Sequence, residues 1–188
     1  MKKLFVYLFM LCLFLVGCGS ESISNSSSNE TNLDKIDEKN EKDTKKEQKN
    51  EDFEIKQIGE TFKLGDWEVT LESFEFNQTV VRERVSSEAN EGNKFLILNF
   101  NVLNNGTEAD QLMKARDGVS LKAVYNEKYD YDVSLTLMDG DLHHENVRPL
   151  SNVKGFAVIE MPDNVVEASE SINIFMEKEK DKVQINIR

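Results

Sequence analysis

Cysteine is nearly missing from this sequence. The 188 residues contain two, Cys12 and Cys18, and none beyond. Everything after residue 18 therefore lacks a disulfide, a zinc–thiolate site and a cysteine nucleophile. Histidine is equally scarce, and the two present, His143 and His144, are adjacent. No Gly-x-Ser-x-Gly elbow occurs, and no glycine loop of the kind that cradles phosphate. The apolar run at residues 4–16 falls short of the roughly 20 residues a membrane-spanning helix needs. Positive charge is in deficit as well, with 23 Lys and Arg against 35 Asp and Glu, a net charge of −12. That balance disfavours nucleic acid and anionic lipid as partners of the folded part. Carboxylates are so abundant that a pair of them has no power to indicate hydrolysis.

Both cysteines belong to the N-terminal segment. Lys2 and Lys3 precede the apolar residues, and Gly17 closes the run. A basic start, a short apolar stretch and a small residue at the cut site make a secretory signal. The ending Leu15-Val16-Gly17-Cys18 resembles a bacterial lipobox. The resemblance implies cleavage before Cys18 and a diacylglyceryl thioether on it, with palmitate-type acyl chains. Cys12 would leave with the signal. Residues 1–17 carry Lys2, Lys3 and no acid, so the net charge of −12 becomes −14 without them. Each buried CH₂ contributes about 0.8 kcal/mol, and two acyl chains hold stably where one does not. The expected location is the extracytoplasmic face of the cell membrane, with the membrane contacted through lipid at Cys18.

Residues 18–52 read as the lipidated cysteine followed by a disordered polar tether. Ser, Asn and Glu dominate its first half, and Lys, Glu, Asp, Asn and Gln its second; the aliphatics are Ile23, Leu33 and Ile36. Such a composition cannot bury enough apolar surface to offset its ordering entropy. As a flexible chain it would span about 30 Å on average, with a taut limit near ~110 Å.

Residues 53–188 read as one all-β domain, long enough to bury a core without disulfides. Trp67, Val69 and Leu71 alternate with polar residues, and the phase breaks at Ser73 before Phe74 and Phe76 resume it, which predicts a bulge. Residues 94–103 are nearly continuously apolar and predict a central strand, ended by the turn signal Asn104-Asn105-Gly106-Thr107. Alternation at Val119, Leu121 and Ala123, at Val133, Leu135 and Leu137, at Ile172, Ile174 and Met176, and at Val183, Ile185 and Ile187 predicts further strands. Residues 156–161 make another, stopped by Pro162. Residues 107–116 and 163–169 read as loops with at most a helical turn. Seven to nine short strands between polar turns are the signature of an antiparallel β-sandwich.

Several segments, in order, resemble a known family. They are Ile58-Gly59-Glu60-Thr61-Phe62, Trp67-Glu68-Val69-Thr70-Leu71, Gly92-Asn93-Lys94-Phe95-Leu96-Ile97-Leu98, Asn101-Val102-Leu103-Asn104-Asn105, Gly155-Phe156-Ala157 and Ile159-Glu160-Met161-Pro162. They look like the landmarks of a domain-of-unknown-function family of Gram-positive surface lipoproteins, similar in fold to the immunoprotective extracellular antigens. The resemblance implies an immunoglobulin-like sandwich over residues 55–187 and carries no catalytic residues. Members usually have Pro-Gly before the penultimate strand, where this chain has Pro149-Leu150-Ser151-Asn152, which predicts a longer turn there.

Four features could carry chemistry. Asp139-Gly140-Asp141-Leu142-His143-His144-Glu145 has metal-ligating side chains, but its spacing departs from a calcium loop, and adjacent histidines on a strand face opposite ways. It reads as a polar turn, with no metal site expected. Tyr125-Asn126-Glu127-Lys128-Tyr129-Asp130-Tyr131-Asp132 could offer an amphipathic tyrosine surface, or be a hairpin whose tyrosines pack on neighbouring strands. Trp67 reads as core. Residues 80–92 read as a long polar loop, either of the kind that carries binding in such folds or a mobile connection with no role. No cofactor and no catalytic residue is expected. The reading is a non-enzymatic, membrane-anchored binding or interaction module with a protein or envelope partner. The alternative is a small-ligand or cation sensor or carrier serving a membrane partner.

Overall fold

The computed structural model describes residues 52–188. The expected signal segment, the expected lipid on Cys18 and all of the expected tether but Asp52 lie outside the described residues. Among the described residues no helix is long and apolar enough to cross a membrane.

The first strands are β1 (Glu54–Lys56), β2 (Thr61–Leu64), β3 (Trp67–Asn77), β4 (Thr79–Arg82), β5 (Val85–Glu88) and β6 (Asn93–Asn104). Then come β7 (Asp110–Gln111), β8 (Ser120–Tyr125), β9 (Tyr129–Ser134), β10 (Asn146–Val147) and β11 (Ser151–Pro162). The one-turn helix α1 (Asp163–Glu167) precedes β12 (Ile172–Lys178) and β13 (Asp181–Asn186). The main sheet runs β1-β13-β12-β8-β9-β11-β6-β3-β2. It folds over on itself at β9. Tyr129 to Asp132 of that strand pair with β8, whereas Val133 and Ser134 pair with Ile159 and Val158 of β11. The two halves thereby become the layers of a β-sandwich.

The inner faces meet in one core. From one layer come Trp67, Val69, Leu71, Leu96, Leu98, Phe100, Ala157 and Ile159; from the other come Leu121, Ala123, Ile172, Ile174, Met176, Val183 and Ile185. Trp67 is 2% exposed, as its alternating position predicts. The bulge is present too, as a register shift between Leu71 and Ser73 opposite β6. It returns Phe74 and Phe76 to the inner side.

β6 is central, flanked by β11 over its whole length and by β3 from Phe95 to Asn104. Its apolar run has a specific cause. Leu96, Leu98 and Phe100 face the main core, while Phe95 and Ile97 point outward into a second cluster with Val80, Ala89, Met138, Phe156 and Val158. The lid of that cluster corrects the sequence reading. Residues 80–92 are not a plain loop: β4 and β5 form a hairpin paired from Thr79↔Glu88 to Arg82↔Val85, turning at Glu83 with φ of 51°. Val80 points down onto the sheet and is 1% exposed.

Other departures are local. Val133 packs on the core, but the alternation does not continue: Leu135 and Leu137 are 63% and 85% exposed. β9 ends at Ser134 because the next stretch of β11 is already taken. Phe156 N–H donates to the Gly140 carbonyl and Leu142 N–H to the Phe156 carbonyl. β11 begins at Ser151, earlier than the apolar run alone indicates, and the turn before it is tight where Pro149-Leu150-Ser151-Asn152 predicted a longer one: Ser151 N–H donates to the Arg148 carbonyl, with Leu150 at φ of 54°. β1 pairs parallel to β13, so the sandwich is antiparallel except at that edge.

Candidate binding surface

The outer face of the β11-β6-β3-β2 layer is half covered by the β4–β5 hairpin and half open. In the open half the register sets side chains in rows. Ser73, Asn99 and Phe156 lie abreast, then Thr70, Asn101 and Lys154, then Glu68, Leu103 and Asn152. Thr61 flanks Thr70 from β2. Two hollows lie along this face. One of about 430 Å³ is lined by Glu72, Ser73, Arg82, Asn99, Lys154 and Phe156 among others. The second, about 210 Å³, is lined by Thr61, Glu68, Thr70, Asn101, Leu150 and Asn152 among others. Asn99 lines the first hollow and Asn101, two residues on in β6, lines the second, so the two follow one another along the face as an interrupted trough.

The trough is lined by groups that both donate and accept. Asn99 Nδ2 donates to Ser73 Oγ at 3.3 Å, and Arg82 Nη2 donates to Asn99 Oδ1 at 3.4 Å, both long bonds. Asn101 Oδ1 is buried beneath this face and has no partner. The Arg82 guanidinium lies 4.4 Å above the Phe156 ring, placing the hairpin tip over one end. Lys154 bonds both oxygens of Glu72, at 2.7 and 2.9 Å. Such a surface fits a polar ligand of little net charge.

The Asp139–Glu145 stretch is a brace. Asp141 is 1% exposed, and both its carboxylate oxygens are occupied. Thr136 N–H and hydroxyl donate to Oδ2 at 2.8 and 2.6 Å. His143 N–H and Nδ1–H donate to Oδ1 at 3.0 and 2.9 Å. His144 turns the other way, its Nε2 lying 2.9 Å from the Thr136 carbonyl. Burial pushes the Asp141 carboxyl up, but the hydrogen bonds from His143 and Thr136 outweigh it and hold the pKa below the ordinary value. No group of three or more potential ligands able to hold a metal occurs among the described residues.

The tyrosine segment is a hairpin. Tyr125 and Tyr131 pack on the core, and Tyr129, 48% exposed, stacks on Tyr125 with centroids 6.2 Å apart. The acids Asp130 and Asp132 take the outer face opposite Val124 and Lys122. At the other end of the sandwich a cleft of about 260 Å³ is lined by Asp66, Asn104, Asp110, Lys114 and Lys178 among others. Asn104 there is structural: Nδ2 donates to the Glu108 and Val147 carbonyls, and Oδ1 accepts from Gly106 N–H.

Sequence reading missed the trough. Its residues are spread over four strands, and Asn99 and Asn101 look like the polar half of an ordinary alternation. Outward-facing amides within an otherwise apolar run were the one available signal.

A family model described as Domain of unknown function (DUF4352) matches residues 56–180. None of the curated proteins matches the chain. Among solved structures, an uncharacterized β-sandwich protein from Clostridium difficile 630 is similar, with TM-score 0.58 at 20% identity, covering 74% of this chain and 99% of its own. A conserved hypothetical protein from Bacillus anthracis gives TM-score 0.48 at 13% identity, covering 68% and 93%. The yjhA protein from Bacillus subtilis gives 0.47 at 14% identity, covering 69% and 97%. The first of these likenesses shows a shared sandwich and nothing about activity. By the match over residues 56–180, the chain belongs to the DUF4352 family, a domain of unknown function carried here on a β-sandwich.

Proposed function

We propose that this chain is a lipid-anchored, extracytoplasmic and non-enzymatic binding module. The anchor rests on Lys2, Lys3, the apolar residues 4–16 and the lipobox-like Leu15-Val16-Gly17-Cys18. The resemblance to Gram-positive surface lipoproteins, and through them to the immunoprotective extracellular antigens, fits a surface module without chemistry of its own. The observation that carries the binding role is the open trough, where Asn99, Asn101, Ser73 and Thr70 point outward from a rigid sheet. Binding sites on strands are held more precisely than sites on loops.

Chemical cross-linking in intact cells, followed by capture of the chain, tests this reading. The captured partner should be lost or sharply reduced with Asn99→Ala together with Asn101→Ala, while the variant melts normally. A partner retained in full by that variant would remove the trough from the binding role.

A further inference from the structure

The larger hollow of the outer face is lined by four charged side chains, Glu72, Arg82, Asp139 and Lys154, and they are not equivalent. Lys154 and Glu72 neutralise each other, with Nζ 2.7 and 2.9 Å from the two carboxylate oxygens. Arg82 and Asp139 make no ion pair among the described residues, with each other or with any other group. Both are nevertheless held in place, and by one residue. The Arg82 guanidinium lies 4.4 Å above the Phe156 ring. The Phe156 N–H donates to the Gly140 carbonyl at 2.8 Å, which fixes the chain on one side of Asp139. On its other side Met138 is sunk into the cluster with Val80, Ile97 and Phe156. Arg82 uses one N–H on the Val81 carbonyl and one on Asn99 Oδ1, the latter at a long 3.4 Å. Three of the five guanidinium N–H groups are then left without a protein acceptor.

We propose that this hollow binds a free α-amino acid, with Arg82 receiving its carboxylate and Asp139 its ammonium group. The inference rests on the trough of the binding-module reading and names the ligand of one end. Charge selects the class. The two cations and two anions of the hollow cancel. A phosphate or a dicarboxylate would meet Glu72 and Asp139, and a polyamine would meet Lys154 and Arg82; like charges brought together count against both. A neutral sugar would cover Arg82 and Asp139 and leave each without a counter-ion. A zwitterion answers both charges at once. The planar fork of a guanidinium suits a carboxylate, which it binds through two parallel hydrogen bonds. Because both charges are set from Phe156, the ligand's own charges must lie close together, as they do on an α-amino acid. The bonds from Arg82 to Asn99 and from Asn99 to Ser73, at 3.4 and 3.3 Å, are long enough to yield to a ligand. A volume of about 430 Å³ falls in the range of small-molecule sites. Holding Arg82 and Asp139 beforehand lowers the ordering cost of binding.

The test titrates the full chain, purified in detergent, with each of the common L-α-amino acids, by calorimetry and in thermal melts. We expect at least one to bind and to raise the Tm. Its N-acetyl derivative lacks the ammonium group and its amide lacks the carboxylate; each should bind about tenfold or more weakly. Arg82→Gln and Asp139→Asn should each weaken the parent amino acid to a similar degree, with the Tm of the free chain nearly unchanged. The two variants should also divide the discrimination. Arg82→Gln should lose the preference over the amide, and Asp139→Asn the preference over the N-acetyl form. That crossed pattern separates ligand contact from a general loosening of the β4–β5 hairpin. Equal binding of the parent and a blocked form, or full affinity in either variant, would overturn the proposal. So would tighter binding of γ-aminobutyrate, whose charges lie farther apart. No binding of any amino acid, with the cross-linked partner still lost in Asn99→Ala with Asn101→Ala, would overturn this inference and leave the binding-module reading standing.

Discussion

Asp141 shows how one residue can decide the shape of a loop. Its carboxylate is buried and accepts four hydrogen bonds, so the donors as well as the acceptor depend on it. Asp141→Asn would leave Thr136 or His143 donors facing an amide N–H. It should destabilise by about 2–4 kcal/mol, because an unsatisfied buried group costs its full desolvation; chemical denaturation of the variant checks this. The same group sets a pH limit. Asp141, Asp110 and Glu160 all have pKa values lowered from 3.8 or 4.5 in the fold. For Asp110 burial is opposed by Lys114; for Glu160 the leading cause is the hydrogen bond from Asn93. A lowered native pKa gives stability that is present above the unfolded value and lost as pH falls through the native one. These groups should therefore leave Tm flat from about pH 7 to 5 and lower it below about pH 4. Asp141→Asn should flatten part of that acid limb in thermal melts.

At the scale of elements, the junctions hold the informative contacts. Gly155 lies where the 139–142 loop meets β11, and a Cβ there would sit 2.5 Å from Leu142 Cδ2 and 2.7 Å from the Gly140 carbonyl oxygen. That close approach accounts for Gly155-Phe156-Ala157 as a sequence landmark. Gly155→Ala should push the loop off β11 and destabilise by about 1–3 kcal/mol, with faster amide exchange at Phe156 and Leu142 as the marker. Helix α1 depends on the last residue. Arg188 Nη1, Nη2 and Nε donate to the Val166, Val165 and Glu170 carbonyls at 2.7, 2.8 and 2.9 Å. A short helix without a side-chain N-cap bond has few other supports. Arg188→Ala should cost about 1.5–3 kcal/mol, since these bonds come from a charged donor, and should fray α1 before β11 in hydrogen exchange.

For the whole molecule, the proposed anchor separates attachment from folding. The described core draws on residues from Phe62 to Ile187 and no cysteine. Cys18→Ala should therefore release the protein from the membrane fraction, or leave an uncleaved precursor, without changing the melting of the domain. A cleaved, unmodified N-terminus away from Cys18 in mass spectrometry would refute the lipid. A chain starting at Asp52 should unfold cooperatively at the midpoint of the longer soluble form. A clear loss of stability would mean that the preceding residues pack on the sandwich.

What the sequence by itself determined was the class of fold and its repertoire. Period-two alternation marks which residues of β3, β8, β12 and β13 face inward, because strand side chains must point to opposite sides. With no cysteine after residue 18 the rest of the chain has no side chain for thiol or zinc–thiolate chemistry. Alternation cannot say where a strand ends or what covers its outer face. Leu135 and Leu137 continue the pattern of Val133 in sequence, yet in space β9 has already lost its partner to the 140–142 loop. Phe95 and Ile97 are buried only because a polar-looking hairpin folds back over them. The Asp141 brace is local, joining Thr136, His143 and His144 within one short stretch, but the hollows of the outer face and the covering of Phe95 and Ile97 arise from contacts between segments distant in sequence, and only the tertiary structure could bring those segments together.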